Sequence, residues 1–157
     1  MKLQLIYIQS SKEPWFSEAT ELYHKKINGF QSFEIKALKA KGLERSQADQ
    51  KKKLESDLLL KNIETSDYVI LFDENGKVFK DSVDFSKFLN QGLESGKQTI
   101  KFVIGGAYGS SEELQQRANL KASLSPLTMN HLVATVTALE QIYRGLTILK
   151  GIPYHNS

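Results

Sequence analysis

The sequence predicts an α/β fold: a mainly parallel sheet flanked by helices, in one domain spanning residues 1–157. Two observations carry this. Apolar runs of strand length alternate with amphipathic segments of helix length along the chain. The last two strands each run into a loop rich in glycine or serine, where a sheet edge can bring bare backbone against a ligand.

The elements follow in order. Residues 2–8 and 33–38 read as strands. Between them Trp15, Phe16, Ala19, Leu22, Tyr23 and Ile27 recur at helical spacing after Pro14, a good first-turn residue. Residues 46–62 carry Leu54, Leu58 and Lys61 at i, i+4, i+7 of a helix. The apolar run 67–72 has strand length, and Asn75-Gly76 behind it marks a turn. Ser82 is placed to cap a helix over 83–94. Residues 99–104 form another apolar strand and 120–124 a short one. Ser110 and Glu113 between them have capping-box spacing. The last helix, about 130–149, carries Leu132, Val136, Leu139, Tyr143 and Leu146, a stripe that packs either on its own sheet or on a second helix as a dimer seam. Residues 40–47 read as a surface loop.

Composition bounds the chemistry. There are 157 residues, 40% of them hydrophobic, enough for a real core, and no cysteine. Disulfides and thiol nucleophiles are excluded, which fits a reducing compartment. The short apolar start reads as a strand, not a signal peptide, and no run approaches a membrane span, so a cytoplasmic protein with no membrane partner is expected. Net charge is +3, unevenly spread: ten Lys/Arg against five Asp/Glu lie between His24 and Lys61. Such a stretch is either a footprint for a phosphate-bearing partner or a solvated helix face, as at Lys51-Lys52-Lys53.

Gly105-Gly106-Ala107-Tyr108-Gly109 does not match GxGxxG, and there is no phosphate-cradling lysine motif, so a dinucleotide or nucleoside triphosphate is disfavoured. By itself it reads first as a tight strand-to-helix turn. With Leu124-Ser125-Pro126-Leu127-Thr128-Met129 beside it, it can wall a pocket made mostly of main chain. The three histidines do not make a metal site: His24 lies on a Lys-rich face, His131 opens the last helix, and His155 is in the tail. That tail has enough apolar surface in Ile152, Pro153 and Tyr154 to dock. Ser110-Ser111 lacks an acid/His partner and reads as a cap.

These motifs carry a resemblance. Phe102-Val103-Ile104-Gly105-Gly106, Gly109, the run Ser123–Thr128, His131, Glu140-Gln141-Ile142-Tyr143-Arg144 and the ending Pro153-Tyr154-His155 together resemble the SPOUT-class ribosomal RNA large subunit methyltransferase H family. Asp73–Lys77 also fits, and the resemblance covers the whole chain. It implies a C-terminal trefoil knot, which no sequence pattern specifies. It also implies an obligate homodimer that binds S-adenosylmethionine and methylates N3 of a pseudouridine in 23S ribosomal RNA of the assembled ribosome. By motif match the methyl donor would meet Phe72, Gly105, Leu124, Ser125, Pro126, Leu127, Thr128 and Met129. No metal is implied.

For catalysis, the N3 proton must leave as the nitrogen attacks. His155 is the first candidate to take it, Tyr154 to stack on or orient the base, and Arg144 to hold a phosphate or the uracil oxygens. His131 is expected to be structural. The tail of a partner subunit is expected to complete the site. The chain departs from the family at Thr135, often Arg; at Asn156, often basic; and at Asn130, commonly Pro. Arg144 and Lys150 are the cations available to compensate. Three alternatives stand beside this reading: methylation of a different RNA nucleotide, a non-catalytic ribosome-assembly or RNA-binding factor, and a flavodoxin-like small-ligand domain.

Overall fold

The computed structural model describes residues 1–40 and 47–156. The elements are β1 (Lys2–Ile8), α1 (Pro14–Asn28), β2 (Phe33–Leu38), α2 (Ala48–Lys61), β3 (Asp67–Val78), α3 (Ser82–Leu93), β4 (Thr99–Ile104), α4 (Glu112–Arg117), β5 (Leu120–Ser123) and α5 (His131–Leu149). Most of the expected surface loop at 40–47, and Ser157, lie outside the described residues.

The strands form one five-stranded sheet in the order β2-β1-β4-β3-β5, with every pair parallel. β1, β3 and β4 lie inside the sheet and are apolar on both faces, as strands covered on both sides must be. On one face Leu5, Ile70, Phe72 and Phe102 pack against residues of α1, α3 and α5. On the other, Ile6, Val69, Leu71 and Val103 meet Leu59 of α2 and Leu114 of α4. The α5 stripe belongs to the first core: Leu132, Leu139 and Leu146 are buried there, with Val136 and Tyr143 packed against it. It therefore packs on the chain's own sheet.

Local details differ from the expected pattern. Trp15 and Leu22 of α1 point to solvent, 46% and 51% exposed, while Phe16 and Ile27 of the same helix are buried. α2 is rotated one position from the expected phase. It buries Glu55, Ser56 and Leu59 and leaves Leu54 exposed. α3 is capped by the Asp81 carboxylate, which accepts from Asp84 N, not by Ser82. α4 is capped by Ser111, one residue later than expected. Asn75-Gly76 does not end β3 at a turn. Residues 73–76 bulge outward, and Phe72 and Lys77 both pair with Ala122. Glycine at 76 is required by contact: a Cβ there would lie 2.8 Å from Ala122 N. His24, on the Lys-rich face of α1, is tied to β2, its Nε2 lying 3.0 Å from Phe33 O.

The amino end of β3 and β4 is closed by a polar network. Lys101 Nζ lies 3.0 Å from Asp67 Oδ2 and donates to Asn62 O at 2.6 Å. The same Asp67 oxygen accepts from Glu64 N at 2.7 Å. Arg117 Nη2 donates to the carbonyls of Glu64 and Asp67, and Val69 N to Asn119 Oδ1.

Candidate active site

At the carboxyl end of the sheet, β3 leads to α3 on one face and β4 leads to α4 on the other. The chain parts there and leaves a crevice, the usual ligand position in a parallel α/β sheet. A cavity of about 410 Å³ fills it. Its walls are Phe72 and the 73–75 bulge, the loop from Gly105 to Ser110, Leu124, Ser125, Leu127, Thr128 and Met129, and His131 and Ala134 of α5. Of the expected donor-binding residues, Pro126 alone is absent from this wall. It borders a second cavity of about 250 Å³ behind the same turn, which Phe72, Leu124 and Ser125 share.

The glycines serve space as well as turning. A Cβ on Gly105 would stand 2.9 Å from Ser110 Oγ and 3.2 Å from Gly109 O. Gly109 has φ +87° and closes the loop with its N–H on Gly106 O at 3.1 Å. The second loop holds itself in place: Ser123 Oγ donates to Ser125 O, and Leu127 N donates to Ser125 Oγ, both at 3.0 Å. Asn130, a departure from the resembled family's common proline, caps α5 by accepting from Leu132 N at 2.8 Å. Phe72 stacks on Phe102 with centroids 6.2 Å apart and offers an apolar wall.

Two buried polar atoms here have no hydrogen-bond partner: Glu55 Oε1 and His131 Nε2. Glu55 lies beneath Gly106, where a Cβ would meet its carboxylate at 2.6 Å. Burial pushes the Glu55 pKa up, partly opposed by Lys51, and burial pulls that of His131 down. His131 is thus a neutral ring on the cavity wall. Lysines of α2 reach the same mouth: Lys52 lines it, and Lys51 Nζ lies 5.7 Å from the Tyr108 ring centroid. Lys53 instead faces solvent and pairs with Asp57 at 3.2 Å.

Arg144, Tyr154 and His155 also come together, but not on this wall. The tail folds back on α5. Tyr154 Oη donates to Glu140 Oε2 at 2.6 Å, and its ring packs edge-on against Tyr143 at 4.7 Å. Arg144 Nε lies 2.8 Å from Glu140 Oε1, its guanidinium covers the Tyr154 ring at 4.7 Å, and its Nη1 lies 3.1 Å from His155 Nδ1. The bond to Glu140, helped by burial, holds the Tyr154 phenol protonated, its pKa pushed up to about 12. Arginine can only donate, so Nδ1 of His155 is the acceptor, and the neutral ring carries its proton on Nε2.

Sequence reasoning did not single out Glu55 or the wall position of His131, and it read Lys52 only as part of a basic stretch, not as part of this cavity. The phase of α2 could have found Glu55: a stripe through 55, 56 and 59 puts a carboxylate on the buried face. Among the described residues no cluster of three or more His, Asp or Glu side chains is placed to hold a metal ion.

The family described as "Predicted SPOUT methyltransferase" matches residues 1–155. The "Ribosomal RNA large subunit methyltransferase H" of Bdellovibrio bacteriovorus is 53% identical over 156 residues, covering 99% of both chains. The protein of that name from Christiangramia forsetii is 37% identical over 160 residues, again covering 99% of both. Among solved structures, a probable methyltransferase from Bordetella pertussis Tohama I superposes with TM-score 0.57 at 12% identity, covering 92% of this chain and 96% of that one; this likeness speaks to the fold.

Proposed function

The chain belongs to the ribosomal RNA large subunit methyltransferase H family of SPOUT methyltransferases, and on that premise we propose that it methylates N3 of a pseudouridine in 23S ribosomal RNA of the assembled ribosome, using S-adenosylmethionine. The observation that carries this is the peptide-walled cavity at the carboxyl ends of β3, β4 and β5, which gathers seven of the eight donor-binding residues expected from sequence.

The cavity suits that donor. Phe72, Leu124 and Leu127 offer apolar walls for an adenine, and the glycine loop leaves backbone bare where a side chain would intrude. Lys52 offers a cation for the donor's carboxylate. A neutral His131 does not oppose a sulfonium. Bound there, S-adenosylmethionine supplies a methyl group on positively charged sulfur, an electrophile that needs alignment more than activation.

The remaining parts come from the tail. Arg144, Tyr154 and His155 do not line their own chain's cavity, so we assign them to the cavity of a second copy in a homodimer. Residues 1–157 then act as a single SPOUT domain with a C-terminal trefoil knot, working in the cytoplasm where ribosomes are. Tyr154 stays protonated and offers a ring face and a fixed hydroxyl. His155 takes the N3 proton on Nδ1. Doing so ends its contact with Arg144, whose N–H group turns to a uracil oxygen that carries developing negative charge. Thr135 is buried and donates to His131 O at 2.7 Å, so this position does not serve the RNA.

The test is twofold. Calorimetry should show the purified chain binding S-adenosylmethionine and its demethylated product. Mass spectrometry of 23S ribosomal RNA from a strain lacking the gene should show loss of one pseudouridine methyl, restored by this chain. Donor binding with a methyl missing elsewhere in RNA would redirect the target. No donor binding would leave a non-catalytic ribosome factor.

A further inference from the structure

The substrate side of this site needs a cation, and Arg144 is not a free one. Its Nε and Nη2 lie 2.8 and 3.5 Å from the two oxygens of Glu140, so its charge is balanced within α5. Asn156 carries no charge, and Thr135 is buried. Lys26, on α1, is placed differently. Its Nζ stands 5.2 Å from the Tyr143 ring centroid, 5.7 Å from that of Tyr154 and 5.9 Å from that of Tyr23. Among the described residues it forms no ion pair.

We propose that Lys26 is a substrate-positioning residue: its ammonium, set among the rings of Tyr23, Tyr143 and Tyr154, takes a backbone phosphate of the RNA beside the nucleotide that the tail receives. This rests on the reading of Tyr154 and His155 as the substrate side of the site. The chemistry follows from what surrounds the ammonium. A carboxylate would hold it but cancel its charge. Aromatic faces hold it through their quadrupoles and leave the full positive charge for an incoming anion. Rings beside an uncancelled cation are the combination that recognises single-stranded nucleotides, the ring taking a base and the cation its phosphate. Lysine suits the second task, because its compact charge and rotating N–H groups meet a phosphate oxygen from many directions. The cluster also joins elements far apart in sequence, α1, α5 and the tail, and its Tyr154 ring is in place only when the tail is docked.

The experiment uses the full-length chain, S-adenosylmethionine and ribosomes from a strain lacking the enzyme, and compares wild type with Lys26→Ala and Lys26→Arg. Lys26→Ala should raise KM for ribosomes about tenfold and lower the slope of log KM against log salt by about 0.7–0.9, the share of one phosphate contact. Its kcat and its calorimetric affinity for S-adenosylmethionine should stay within about twofold of wild type, which also shows the variant folded. Lys26→Arg should recover most of the loss. An unchanged KM and salt slope in Lys26→Ala overturns the proposal, as does a loss confined to kcat, which would make Lys26 a support for the tail rings. A wild-type chain that binds no S-adenosylmethionine and methylates no ribosome brings down the proposed function itself, and this inference with it.

Discussion

At the amino end of β3 and β4, the buried ammonium of Lys101 meets Asp67 at 3.0 Å, and both have further partners. At the carboxyl end of the same strands, Glu55 Oε1 and His131 Nε2 are buried with none. The strands are shared, so the contrast lies in what the loops were built to do. A satisfied buried pair ties β4 to β3 and to the chain entering it. An unsatisfied one lowers stability, and it persists where the same space serves a ligand. Side-chain size follows the same division. The closed end is filled by Lys, Arg and Asn side chains, whereas Gly105 and Gly106 at the open end cannot grow even a methyl group without contact below 3.0 Å.

The largest effect should come from the open end. Deleting residues 154–157 should cut methyl transfer by about 10²–10⁴-fold, the range for losing acid–base chemistry, while donor affinity measured by calorimetry stays within about twofold. Full activity after the deletion would remove the tail from the mechanism.

The closed end should answer in stability instead. Asp67→Ala leaves Lys101 buried without its counter-charge and should cost about 3–5 kcal/mol in urea denaturation. Donor affinity of the folded fraction should be unchanged. A cost under about 1 kcal/mol would mean the network is not a unit.

Gly105→Ala should have a smaller effect than either. Its methyl group would stand 2.9 Å from Ser110 Oγ and 3.2 Å from Gly109 O and so displace the loop that walls the cavity; donor affinity should drop about tenfold, or about 1.4 kcal/mol. Melting temperature should move little. The reverse pattern would make Gly105 a folding residue only.

The smallest effect concerns pH. Burial raises the pKa of Glu55, so the folded state binds its proton more tightly than the unfolded chain does. The sign follows by linkage: stability falls as pH climbs from the ordinary value of 4.5 through the raised folded value. Glu55→Gln should therefore melt higher than wild type at neutral pH, with the gain fading toward about pH 4. His131 runs the other way. Its folded pKa is depressed, so stability is lost as pH falls below the ordinary 6.5, and His131→Gln should flatten that acid limb. Parallel pH curves for wild type and both variants would show that neither group is strained.

The strands and the two loops that wall the cavity were legible in the sequence because they rest on local rules, whereas the individual donor contacts came from the family resemblance. Uninterrupted apolar runs such as Val69–Phe72 need cover on both faces, and paired glycines after a strand imply close approach. Where several contacts compete for one segment, the sequence misled. Leu54 and Leu58 suggested one face for α2, but packing under Gly106 selected Glu55 and Ser56. Asn75-Gly76 suggested a turn, but pairing with Ala122 made a bulge. Arg144 looked like a free phosphate ligand, but in the fold it pairs with Glu140 one turn earlier on α5, with the Tyr154 ring under its guanidinium.

The order of chain elements, the glycine and serine loops and the absence of thiols were written in the one-dimensional pattern, since periodicity and residue type act over a few neighbours. Which polar groups pair and which are left bare was decided only by the fold. Lys26 lies 117 residues from Tyr143 in the chain yet 5.2 Å from its ring in space, and electrostatic partners are chosen by distance in space, which no local pattern encodes.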